Sequence, residues 1–76
     1  MEVREYWKVP VGDGYVKYTE RGGMLAEVYG LSSKCWRVRI PGMSDRDFPG
    51  DDTRDVAEAY AAEELRRRGY VEVEQK

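Results

Sequence analysis

Apolar and polar residues alternate along three short stretches of the chain, each bounded by turns that contain glycine. The turns fall at residues 12–14, 21–23 and 30–33, and the alternating stretches at residues 15–20, 24–29 and 34–40. A period of two is typical of a strand with one buried face, and closely spaced turns favour hairpins. Residues 3–9 end before Pro10 and form either a fourth strand or an extended arm.

The period changes after an acidic loop that contains proline and glycine. Residues 52–68 predict a helix whose inward side consists of Val56, Ala57, Tyr60, Ala61 and Leu65. Asp52 or Thr53 can accept a free backbone N–H at its start, and Gly69 suits the left-handed position after its end. Residues 70–74 alternate again and predict a short final edge strand.

Together these elements predict an α+β fold. We expect an antiparallel meander of three or four strands with one C-terminal helix packed on one face, followed by the short final strand. A chain of 76 residues is too short for two hydrophobic cores, so residues 1–76 are expected to form a single domain. Folding at this size buries about two-thirds of the surface of the unfolded chain, which leaves a thin margin of stability.

Alternation assigns the side chains of each strand to a face covered by the helix or to an open face. The covered face is predicted to hold Trp7, Val9, Val16, Tyr18, Met24, Ala26, Val28, Trp36, Val38 and Ile40, with Phe48 closing the core beside the helix. The open face is predicted to hold Arg4, Tyr6, Lys8, Tyr15, Lys17, Thr19, Leu25, Glu27, Tyr29, Cys35, Arg37 and Arg39. Glu27 would be its only acid, because the other acids cluster at residues 45–55 and along the helix. The molecule is therefore predicted to be electrically two-sided.

The residue inventory excludes several chemistries. The chain has no histidine and one cysteine, Cys35, so it lacks an imidazole base, the usual zinc ligands and an internal disulfide. The acidic loop lacks the spacing of a calcium-binding EF-hand. We therefore predict no enzymatic activity, no cofactor and no metal. The chain has no long apolar run and no signal-peptide pattern, which favours a cytoplasmic protein that does not enter the membrane.

A basic face with interleaved tyrosines favours nucleic-acid binding, because lysine and arginine neutralise phosphates while tyrosine rings stack on bases. The candidate binding residues are Arg4, Lys8, Tyr15, Lys17, Tyr29, Arg37 and Arg39. This pattern predicts a small non-enzymatic binding module whose partner is duplex DNA. The alternative is that the face is only solvated, as one face of an antiparallel sheet commonly is.

One stretch of sequence carries a resemblance to a known family. Three hairpin-linked strands, the third reading Lys34-Cys35-Trp36-Arg37-Val38-Arg39-Ile40, are followed by Phe48 and an alanine-rich helix. This order resembles the arm-site DNA-binding N-terminal domains of phage-type tyrosine recombinases over about residues 15–68. The resemblance implies a sheet that enters the major groove, with Lys17, Arg37 and Arg39 as groove contacts. It implies no recombinase catalysis.

The charge of the whole chain supports a second hypothesis from a different class. The net charge is −2 and the isoelectric point is about 5.1, which is compatible with a small acidic protein-interaction module or inhibitor of the kind that phages and other mobile elements encode. Either the aromatic sheet face or the acidic loop-and-helix surface would meet a protein partner. A third interpretation is self-association through Leu25 and Tyr29 or through the edge strand, so the oligomeric state stays open.

Overall fold

A computed structural model describes residues 3–21 and 23–73. These residues form one mixed sheet of six strands with a single helix across one of its faces. The elements are β1 (Arg4–Pro10), β2 (Tyr15–Glu20), β3 (Gly23–Ser32), β4 (Cys35–Arg39), β5 (Arg46–Pro49), α1 (Arg54–Arg67) and β6 (Tyr70–Val73). The α+β class and the C-terminal helix are confirmed, whereas the expected count of three or four strands was too low.

The strands lie in the order β5-β4-β3-β2-β1-β6. The first five form an antiparallel meander, so residues 3–9 contribute a fourth strand and not an extended arm. Helix α1 then carries the chain back across the sheet, and β6 pairs in parallel with β1. The prediction of a final edge strand is confirmed through Val73, while Glu74 lies outside the described residues.

The strand that sequence analysis missed is β5. Its four residues, Arg46–Pro49, were assigned to the acidic loop because a run this short, with two charges and a proline, shows no convincing alternation. Pairing with β4 is what makes it a strand: Phe48 lies opposite Trp36 and Asp47 lies opposite Arg37. Proline at its end is tolerated because β5 is an edge strand.

The hydrophobic core lies between the sheet and α1. Its buried members are Tyr6, Val16, Tyr18, Ala26, Val28, Val38, Ile40, Ala57, Ala61, Leu65 and Tyr70. Ala57 and Ala61 allow the helix to approach the sheet closely, because neither side chain extends beyond Cβ. Phe48 packs against Tyr60 with ring centroids 5.4 Å apart, which confirms its predicted place beside the helix.

The predicted faces are correct for β2 and β4 and wrong for β1. Tyr6 is buried and stands 6.0 Å from the ring of Tyr18, and its hydroxyl donates a 2.9 Å hydrogen bond to Glu72 of β6. Trp7 and Val9, which were predicted to be in the core, therefore lie on the open face. Because side chains alternate, a shift of one residue exchanges every side chain of a strand between the two faces.

Two more predicted core residues are exposed. The β2–β3 register shifts between Tyr18 and Thr19, and Met24, beyond this irregularity, is 42% exposed. Val56, in the first turn of α1, is 55% exposed.

The ends of α1 were predicted with mixed success. Thr53 occupies the N-cap position, but its side chain accepts no capping N–H; its hydroxyl donates a 2.7 Å hydrogen bond to the carbonyl of Phe48. The predicted side-chain cap by Asp52 or Thr53 is therefore wrong. Gly69 follows the helix with φ of 90°, which confirms its left-handed position. A side chain would strain the backbone at that angle.

The orientation of α1 can be tested with two substitutions on the same helix. Leu65→Ala should lower the free energy of unfolding by about 2–5 kcal/mol, because Leu65 is fully buried and its truncation leaves a cavity. Val56→Ala should change it by less than about 0.5 kcal/mol, because Val56 is exposed. Urea unfolding followed by circular dichroism measures both. Equal losses would contradict this orientation of the helix.

Candidate interaction surface

The sheet face opposite α1, named here the open face, is the candidate functional surface. By strand alternation and register it carries Glu5, Trp7, Val9, Tyr15, Lys17, Thr19, Met24, Leu25, Glu27, Tyr29, Cys35, Arg37, Arg39, Asp47, Val71 and Val73. Within residues 3–21 and 23–73 the one helix lies on the other side, so the open face meets solvent. Of the seven predicted site residues, it brings together Tyr15, Lys17, Tyr29, Arg37 and Arg39.

The other two predicted site residues, Arg4 and Lys8, lie on the opposite side of the sheet, so their assignment to the open face was wrong. Arg4 forms a 3.0 Å ion pair with Glu20 and stands 4.7 Å from the ring centroid of Tyr70. Lys8 forms an ion pair with Glu58 of α1. Both placements follow from the register of β1 that buries Tyr6.

Glu58 is the centre of a polar cluster that ties α1 to β1. Its carboxylate accepts from Lys8 and, at 2.8 Å, from Arg54, which also donates to the carbonyl of Asp13 at 3.1 Å. Burial raises the pKa of the Glu58 carboxyl, but the hydrogen bonds from Lys8 and Arg54 outweigh burial and hold that pKa below its ordinary value. The Glu58 carboxyl is therefore ionised at neutral pH, and the cluster stabilises the fold.

Acids from the β5 region lie beside the two arginines of β4. Asp47 faces Arg37 and accepts two hydrogen bonds from it, at 2.6 and 3.0 Å. Asp45 lies beside Arg39, with two contacts of 3.4 Å. The hydrogen bond from Arg37 lowers the pKa of the Asp47 carboxyl and raises the pKa of Arg37 itself. The contact with Asp45 raises the pKa of Arg39 in the same way.

These acids give the open face a regular arrangement that we name the charge ladder. One row across the sheet reads Lys17, Glu27, Arg39, Asp45, and the adjacent row reads Tyr15, Tyr29, Arg37, Asp47. The ladder holds three cations and three acids, so its net charge is zero. The expectation that Glu27 is the only acid of a basic face was therefore wrong, because β5 folds acids from the loop onto the same surface.

The tyrosines of the charge ladder are held by polar contacts. Tyr15 and Tyr29 meet edge to face, with ring centroids 6.4 Å apart. The Tyr15 hydroxyl donates to Glu27, and this hydrogen bond raises the pKa of Tyr15 to about 12. Lys17 lies 5.8 Å from the centroid of the Tyr15 ring. The Tyr15 hydroxyl therefore acts as a neutral hydrogen-bond donor at physiological pH.

The rest of the open face carries an apolar corner, defined as Trp7, Val9, Val71 and Val73. It lies where β1 pairs with the edge strand β6: Trp7 is opposite Val73, and Val71 is 52% exposed. A shallow cavity of about 400 Å³ opens beside Trp7 and Val3. Sequence analysis missed this corner because it placed Trp7 and Val9 in the core, although the alternation of the two valines in β6 signalled a second apolar face.

In comparisons with known proteins, no family model, curated protein or solved structure matches this chain. The resemblance to the arm-site domains of tyrosine recombinases therefore stays a prediction. In the described part of the chain, no helix is long and apolar enough to cross a membrane. Among the same residues, no group of three or more potential metal ligands is arranged to hold an ion.

The cluster around Glu58 predicts a change in acid sensitivity. The folded pKa of Glu58 lies below its unfolded value, so its contribution to stability is present above the unfolded pKa and is lost as the pH falls through the folded pKa. Glu58→Gln should lower the free energy of unfolding by about 1–3 kcal/mol at pH 7. On acidification, the free energy of unfolding of Glu58→Gln should fall by less than that of the parent protein.

Urea unfolding at neutral and acidic pH measures this effect. Glu63→Gln is the matched control on the same helix, because Glu63 is exposed and its closest ion-pair contact is 3.6 Å. The control should keep the parent's acid sensitivity. The same acid sensitivity in Glu58→Gln and Glu63→Gln would show that Glu58 does not hold the cluster.

Proposed function

We propose that this chain is a small non-enzymatic binding module, and that its apolar corner contacts a protein partner. The observation that carries the proposal is the exposed Val71 and the half-buried Val73 of β6 beside Trp7, on a face that α1 does not cover. Tryptophan is enriched among the residues that dominate binding energy at protein interfaces. An apolar centre with a polar rim is also their common arrangement.

The charge of the open face favours a protein over duplex DNA. DNA binding gains free energy when cations neutralise phosphates and release counterions. Here Arg37 and Arg39 already face carboxylates, so a phosphate would have to displace Asp47 or Asp45 and then meet their repulsion. A charge ladder of zero net charge has no such conflict with a protein.

The apolar corner is too small to form a protein interface by itself, so residues around it must contribute to the contact. Burial of apolar surface contributes roughly 25 cal/mol per Å². Four side chains cannot supply the whole of a stable interface, which buries about 800 Å² on each partner. Met24, which lies opposite Thr19 in the row of Trp7 and is 42% exposed, continues the apolar surface outside the charge ladder. The proposed partner therefore presents an apolar surface bordered by polar groups.

Two valines of nearly equal exposure test the proposal. Val71 lies in the apolar corner and is 52% exposed, whereas Val56 lies on α1 and is 55% exposed. Val71→Glu should weaken the capture of a stoichiometric protein partner by at least about tenfold, because it places a charge in the apolar contact. Val56→Glu should leave capture unchanged. Nuclease-treated extracts and quantitative affinity capture supply the measurement, with circular dichroism to show that both variants fold.

Duplex DNA is the competing partner, and titration with labelled DNA at several salt concentrations tests it. The parent protein should show no salt-dependent binding, whereas Asp45→Asn combined with Asp47→Asn should create weak binding by uncovering two arginines. Parent binding that disappears in Arg37→Glu combined with Arg39→Glu would replace the protein proposal with DNA. Equal capture by Val71→Glu and Val56→Glu would also overturn the protein proposal.

A further inference from the structure

The charges of the ladder alternate in sign from strand to strand. From β2 to β5 the first row reads positive at Lys17, negative at Glu27, positive at Arg39 and negative at Asp45. Read from β5 to β2, the same row begins with a negative charge and again alternates. The row is therefore electrically complementary to its own reversed copy.

A two-fold axis produces this reversal. If the axis lies parallel to the strands and between β3 and β4, it stacks the open face of one copy on that of the other. The strand order is then reversed, and each row lies opposite the same row of the second copy. Lys17 then faces Asp45 of the partner subunit, and Glu27 faces the partner subunit's Arg39. Two-fold symmetry creates each of these contacts twice. We propose that two copies of this chain associate face to face through the charge ladder.

The second row is complementary under the same operation. Tyr29 then faces Arg37 of the partner subunit, which suits a cation–π contact. Tyr15 faces Asp47 of the partner subunit, which can accept a hydrogen bond from its hydroxyl. The orientation of the pair was derived from the first row alone. The second row is favourable in that same orientation, so the two rows specify one arrangement.

Burying charges has a cost in desolvation, and the structure limits it. Arg37 and Arg39 enter the contact already paired with Asp47 and Asp45. None of these four charges is therefore left without a partner. The rings of Tyr15 and Tyr29 supply apolar area in the same region. Opposite charges across an interface mainly set orientation and exclude wrong pairings, which is the role we assign to the ladder.

This association goes beyond the proposed partner binding, because it uses a different part of the open face. With the axis between β3 and β4, strands β1 and β6 extend past the edge of the partner's β5. The apolar corner on those strands stays free. A self-associated pair therefore presents two copies of the corner.

A charge-exchange experiment tests the pairing. Sedimentation equilibrium of the parent protein should give a mass that rises with concentration from one chain to two. Glu27→Arg and Arg39→Glu should each weaken association at least about tenfold, because like charges then face each other across the two-fold axis. An equal mixture of the two variants should restore it, since both cross-subunit pairs again join opposite charges. Mixing cannot repair damage within one chain.

A second pair of substitutions covers the case in which Glu27→Arg or Arg39→Glu does not fold. Lys17→Glu and Asp45→Lys should each weaken association, and their mixture should restore it. Val71→Glu, outside the charge ladder, should associate like the parent, which separates this proposal from the protein-partner proposal. A parent protein of single-chain mass at every concentration would overturn the inference. So would folded variants that do not recover when mixed.

Discussion

The pairing of β5 with β4 determines the electrostatics of the sheet. It is a contact of four residues at one edge, yet it brings Asp47 to Arg37 and Asp45 to Arg39. Without it, two arginines would stand free on the open face and the acids would lie in a solvated loop. With it, the same sequence presents a charge ladder of zero net charge. The choice between a phosphate ligand and a protein partner therefore depends on this edge strand.

The register of β1 has a comparable effect on the apolar part of the surface. Tyr6 enters the core because its ring packs against Tyr18 and its hydroxyl reaches Glu72. Trp7 and Val9 are then directed to the open face, where β6 adds its two valines. The covered face holds the more polar members of β1 because partners from β6 and α1 satisfy them. The apolar corner of the open face is the consequence.

Local chemistry made some elements predictable from sequence. Gly69 and the arginines before it mark the end of α1. These signals lie within a few residues of one another, so they can be recognised from the local sequence. In β4 the alternation of Trp36 and Val38 with arginines allows one choice of face. In β1 both sets of alternate residues are amphipathic, so the choice depended on distant partners. The acids of the β5 region could be read from the sequence. Their contact with the arginines of β4 depends on strand pairing, which no local sequence pattern predicts.

The central claim is that the arginines of the open face are neutralised by acids from the β5 region, and the titration of Asp47 tests it most directly. Nuclear magnetic resonance of the side-chain carboxyl at low ionic strength reports its midpoint in the parent protein and in Arg37→Gln. The account predicts a midpoint below the ordinary value of about 3.9 in the parent, rising in the variant, because Arg37 holds the carboxylate in its charged form. An ordinary midpoint that Arg37→Gln does not change would contradict the neutral face and the arguments built on it.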